Sequence, residues 1–123
     1  MHPKYKEAID LHRTGQIKKA EEICFKILED EPKNFDILHL LGIISFQLKD
    51  YKKSSELISQ AIKINPNDAE VYNNMAIVSK KLNQLDLAYN NYCYAIKLKP
   101  DYAEALNSCG VILKELKKHE DAI

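Results

Sequence analysis

The sequence predicts an all-α fold, an α-solenoid of antiparallel helix pairs, on three observations. Pro32, Pro66 and Pro100 recur at intervals of 34 residues, and a helical pattern ends just ahead of each, as the conformational restriction before proline requires. Small residues keep the same period: Ala8, Gly42, Ala76 and Gly110 form one column, Ala20, Ser54, Ala88 and Ala122 a second, and Ala61 and Ala95 a third in which Ile27 is the exception. Between them, large apolar residues recur at helical spacing and give each helix one broad apolar face.

Helices are expected at 3–13 and 17–30, 35–48 and 51–64, 69–82 and 85–98, and 103–117, with a stub from about 119. In the first pair, Lys4 and Glu7 replace large apolar residues, so its first helix is expected to be solvated and to act as a cap. The second pair sets Leu38, Leu41, Ile44 and Leu48 against Tyr51, Leu57, Ile58, Ala61, Ile62 and Ile64. Gly42 in mid-helix costs about 1 kcal/mol relative to Ala. Close approach explains it, because missing side chains at a crossing let helix axes come within about 8–10 Å.

The turns within pairs are short: Thr14-Gly15-Gln16, Lys49-Asp50, Asn83-Gln84 and Lys117-Lys118. Gly15 and Asn83 suit the left-handed conformation that closes a helix. Between pairs, the prolines stop one helix, and Asn34, Asp68 and Asp101 are placed to cap the next. Such short connections force neighbouring helices to run antiparallel.

The chain resembles the tetratricopeptide repeat family, and the pattern that carries the likeness covers nearly all of it. In the second repeat the matching residues are Leu38, Leu41-Gly42, Tyr51, Ser54, Ile58, Ala61 and Pro66; in the third they are Tyr72, Met75-Ala76, Leu85, Ala88, Tyr92, Ala95 and Pro100. The resemblance implies a right-handed superhelix of about 3.5 repeats in one domain, 1–123, divided at 1–34, 35–68, 69–102 and a partial 103–123. The last repeat stops at Ala122-Ile123, shortly after its second helix begins. A repeat array needs a polar terminal cap. The expectation is that further repeat follows or that a second molecule covers the edge as a homo-oligomer.

At 123 residues and 14.2 kDa the chain is one domain in size. Lys plus Arg and Asp plus Glu number 18 each, so no net field gathers nucleic acid or an anionic membrane. Neither is expected as a partner. No apolar run approaches a signal peptide or membrane span, and a cytoplasmic protein is expected. Cys24, Cys93 and Cys109 are odd in number and lack CxxC spacing, which suits buried thiols in a reducing compartment.

Chemistry finds little to stand on. Gly15, Gly42 and Gly110, the only glycines, all serve the repeat, so none remains for a phosphate-cradling loop. His2, His12, His39 and His119 show no zinc spacing. Asp36, His39 and His12 are a conceivable weak metal site, but polar groups lining a wet groove are the stronger reading without a complete ligand set. No catalytic residue, cofactor or metal is therefore expected, and the chain reads as non-enzymatic.

The resemblance implies that the first helix of each pair lines a concave groove that binds a peptide or helix of another protein. Rotating away from the buried Leu41, Ile44 and Leu48 stripe selects as groove residues Tyr5, Ile9, His39, Leu40, Ile43, Phe46, Asn73, Asn74, Ile77, Lys80, Asn107 and Val111. Ile9, Ile43, Ile77 and Val111 form an apolar column, and the asparagines can bond a bound backbone. The bland reading, that this column packs helix on helix, is the heavier one. Leu40 and Phe46 are the expected anchors.

Some family members clamp the terminal carboxylate of heat-shock chaperones with Lys and Asn on the first inner helix, Asn on the second, and Lys and Arg on the third. The matching positions here are Tyr5, Ile9, Leu40, Glu70 and Asn74, or, one repeat along, His39, Ile43, Asn74, Glu104 and Ser108. Only Asn74 agrees. The segments LHLLGI, AIKLKPDYAEALN and LKELKKHEDAI are also similar to bacterial repeats that precede glycosyltransferases of the O-linked N-acetylglucosamine type. That likeness implies an alternative role as the N-terminal, substrate-recruiting segment of a larger enzyme.

Overall fold

The computed structural model describes residues 1–121, all of whose regular structure is helical. Two compact units divide the chain, one from Met1 to Asn65 and one from Pro66 onward. The first holds α1 (Tyr5–Arg13), α2 (Ile17–Asp30), α3 (Phe35–Gln47) and α4 (Tyr51–Ile64); the second holds α5 (Ala69–Lys81), α6 (Leu85–Leu98) and α7 (Ala103–Asp121). Within each unit successive helices pack side by side as antiparallel neighbours.

The small-residue columns sit in the helix contacts. Ala8, Ala20, Ala61, Ala76, Ala88 and Ala95 are wholly buried, as is Ile27, the large exception. Gly42 shows the reason most directly: a Cβ there would lie 2.6 Å from Ile58 Cγ1. Beside it the Ser54 hydroxyl donates to the Gly42 carbonyl at 2.7 Å. That one crossing locks α3 to α4. In the second unit Ala76, Ala88, Tyr92, Ala95, Ala105 and Ile112 form the core, with Tyr72, Leu85 and Leu116 packed on it.

Helix ends follow the expected chemistry in most places. Asn34 Oδ1 accepts from the Ile37 N–H at 3.1 Å, and Asp68 Oδ1 from Glu70 and Val71 at 3.0 and 3.3 Å. Asp50 caps α4 through the Lys53 N–H at 3.2 Å, a role the turn assignment had not given it. Gly15 and Asn83 adopt the left-handed conformation (φ +83° and +59°), and so does Lys49 at +65°. That state costs a non-glycine residue about 1–2 kcal/mol.

Two expectations fail at α7. The helix runs through Lys117-Lys118, where the period predicted a turn. Lysine favours helix intrinsically, and the stretch from Leu113 to Glu120 holds no glycine or proline to stop it. Gly110 is exposed, with nothing within 4 Å of a Cβ placed on it. Ala122, in the same repeat's second column, lies outside the described residues. In α1 the solvated reading holds: Lys4 and Glu7 are exposed and only Ala8 is fully buried. No helix among the described residues is long and apolar enough to cross a membrane.

Candidate functional site

Each unit presents its own inner helices. In the first unit α1 and α3 lie side by side, tied by His12 Nε2 against Gln47 Oε1 at 2.8 Å. Tyr5 stands near Asp36, and burial first, then that carboxylate, pushes its hydroxyl above the ordinary value of 10.0. On the same helices Ile9, Ile43 and His39 are half-buried. The His39 ring lies 6.3 Å from that of Phe35, and Phe46, also half-buried, leans on Tyr51 at 5.2 Å.

Leu40 is in the core. Its side chain is 7% exposed, and α3 buries Ile37, Leu38, Leu40, Leu41 and Ile44 on one side while Ile43 and Phe46 make the other side apolar too. A helix so apolar on all sides cannot be oriented by pattern. Leu40 therefore supports the face from behind and offers no anchor on it. His2 likewise turns away: it is buried, its Nδ1 accepts from the Lys4 N–H at 3.1 Å, and its Nε2 meets Asp30 Oδ2 at 2.9 Å. With Nδ1 an acceptor, the proton belongs on Nε2. His12, committed to Gln47, is not drawn into a cluster with Asp36 and His39. No metal-binding group of three His, Cys, Asp or Glu side chains exists among the described residues.

In the second unit α5 and α7 are joined by Asn73 Nδ2 donating to Glu104 Oε1 at 3.3 Å, and by Lys80 Nζ beside Glu115 Oε1 at 3.4 Å. Asn73 is 1% exposed, so it is a strut between helices and out of reach of a bound backbone. Asn74 and Ile77 are half-buried, Lys80 and Asn107 exposed, and Val111 is 48% exposed. Ile77, Lys80, Lys81 and Tyr92 line an open cleft of about 480 Å³. Burial, the largest cause, and nearby Glu104 and Glu115 hold the Tyr92 hydroxyl above its ordinary 10.0, against a hydrogen bond with Ser108 that lowers it. An apolar floor thus lies beside two ammonium groups.

No Asp or Glu with a described side chain is buried, and Cys24, a fully buried thiol, is pushed up to about 12, by burial first and then by Glu21. Paired helices with a half-open apolar face define a helical repeat module. Tetratricopeptide repeat models match residues 11–77 and 69–102, and the chain belongs to that family. No curated protein matches it.

Solved structures agree on the fold. A Thermobaculum terrenum O-GlcNAc transferase mutant is 27% identical with a TM-score of 0.81, over 86% of this chain and 20% of that one. The chain therefore spans about a fifth of that enzyme. The first repeat domain of Spaghetti (RPAP3), bound to an HSP90 peptide, is 20% identical with a TM-score of 0.88 over 91% and 89% of the two chains. MamA from Desulfovibrio magneticus RS-1 is 22% identical with a TM-score of 0.89, over 98% and 68%.

Proposed function

We propose that the chain is a protein-interaction module whose inner helices bind a peptide or helix of a partner. The observation that carries this is a half-open apolar pair on the inner helices of each unit, Ile9 with Ile43 in the first and Ile77 with Val111 in the second, each flanked by polar side chains. Of the residues selected from the sequence, Tyr5, Ile9, His39, Ile43, Phe46, Asn74, Ile77, Lys80, Asn107 and Val111 are accessible enough to touch a ligand. Leu40 and Asn73 act behind them. The peptide carried by the RPAP3 domain supports the ligand class. A carboxylate tail is not the ligand favoured here, because exposed Glu70 and Glu104 stand at positions where that clamp needs cations.

Peptides selected from a random display library, titrated by fluorescence anisotropy, test the reading. Ile77→Glu and Val111→Glu should each weaken binding at least about tenfold, or 1.4 kcal/mol, with far-UV circular dichroism unchanged. Equal affinity in both variants overturns it.

A second reading rests on the likeness to the O-GlcNAc transferase: the repeats present substrates to a catalytic region elsewhere in the same polypeptide. The complete reading frame decides it, since a stop codon directly after Ile123 excludes such a region downstream.

A further inference from the structure

The second unit holds two cysteines that are sixteen residues apart in sequence, Cys93 on α6 and Cys109 on α7. The helical hairpin brings them together. Cys93 stands five residues before the end of α6 at Leu98, and Cys109 six after the start of α7 at Ala103, so antiparallel packing sets them at one level. Their side chains share a hydrogen bond, and the Tyr89 hydroxyl, one turn earlier on α6, bonds Cys93 as well. Close by, the Tyr92 hydroxyl ties α6 to Ser108 of α7. Both thiols are free and half-buried, and Cys109 packs on the core of its unit.

One of the two can be reached from solvent. Cys93 lines an open cleft of about 350 Å³ together with Asn90, Tyr94 and Lys97. Phe25, at the same repeat position 68 residues earlier, is 40% exposed although α3 and α4 follow it. Helices that follow therefore leave this position open.

We propose that Cys93 and Cys109 are a redox pair that a low-molecular-weight disulfide converts into an intrachain disulfide, stapling α6 to α7. Cys93 faces the cleft and attacks first: its thiolate bonds one sulfur of the small disulfide and expels the other half as a thiol. Cys109 then attacks Cys93 Sγ, which forms the protein S–S bond and expels the second thiol. The protein pair loses two electrons and two protons, and the small disulfide takes them up as two thiols. Burial first, then Cys93 itself, holds the Cys109 thiol above its ordinary 9.0, so at neutral pH it keeps its proton and acts second. The Lys97 ammonium in the cleft suits a reagent that carries carboxylates, as glutathione does. Neither cysteine belongs to the inner face, so the proposal does not rest on peptide binding.

The dilute, reduced chain is incubated with oxidised glutathione, quenched with acid and mapped by peptide mass. The map should show Cys93 joined to Cys109 with two hydrogens lost and Cys24 still a thiol, and dithiothreitol should reverse the link. Cys109→Ser should stop at a glutathione adduct on Cys93, and Cys93→Ser should lose the fast uptake. The joined chain should unfold at a higher urea midpoint than the reduced one, because the bond links side chains already in contact. No reaction, adducts that never close, linkage between copies only, equal uptake by the two variants, or a lowered midpoint overturns the proposal. Unchanged far-UV circular dichroism of the serine variants excludes unfolding as the cause.

Discussion

His12 Nε2 lies 2.8 Å from Gln47 Oε1, and the residues 68 positions further on, Lys80 and Glu115, make the same link between α5 and α7 at 3.4 Å. At a second set of matching positions Asn73 Nδ2 donates to Glu104 Oε1, and in the first unit Tyr5 stands within electrostatic reach of Asp36. One repeat position thus carries a tie in both units, by different chemistry: an imidazole–amide bond in the first and an ion pair in the second. The Lys80–Glu115 pair is well exposed, and exposed ion pairs contribute about 0–1 kcal/mol. Glu115→Ala should therefore shift the urea midpoint of unfolding only slightly. A large loss would show that the tie matters beyond its exposure.

Gly42→Ala puts a methyl 2.6 Å from Ile58 Cγ1, on a side chain that is itself buried. Overpacking of this kind should cost about 1–3 kcal/mol. Gly110→Ala meets open space and should gain up to about 1 kcal/mol of helix propensity. Urea denaturation of dilute samples separates the two; equal effects would refute the crossing argument.

Lys49 holds a left-handed φ of +65°. Lys49→Gly should relieve about 1 kcal/mol of strain, raising the urea midpoint. A lowered midpoint would mean that the lysine side chain holds the turn.

The Cys24 thiol, shifted from its ordinary 9.0 to about 12, holds its proton more tightly folded than unfolded. Its contribution is therefore complete below pH 9 and is lost as pH rises toward 12. Urea midpoints should fall across that interval, less steeply in Cys24→Ala than in the unsubstituted protein. At pH 8 a disulfide reagent should label Cys24 only after unfolding; rapid labelling of the folded chain contradicts its burial.

Much of this fold was legible because its signals are local and repeated. α2, α4 and α6 begin and end where the proline period and apolar spacing place them. The errors have physical causes. The left-handed Lys49 is not legible because lysine, unlike glycine or asparagine, carries no preference for that conformation. The period predicts a turn at Lys117, but helix-favouring residues with no glycine or proline among them carry α7 straight through it. On the inner face, α3 has too few polar residues to reveal its open side, which hid the burial of Leu40. Asn73 looked accessible by residue type, but its amide is occupied by Glu104.

The three-residue turns after α1, α3 and α5 also bear on time. Each joins two helices that pack on each other directly, so much of the interior forms between segments already close along the chain. Little loop entropy is lost before such contacts begin to stabilise. Helical proteins with contacts this local fold in roughly microseconds to milliseconds. Each hairpin can therefore form as it emerges during synthesis, before the next has been made.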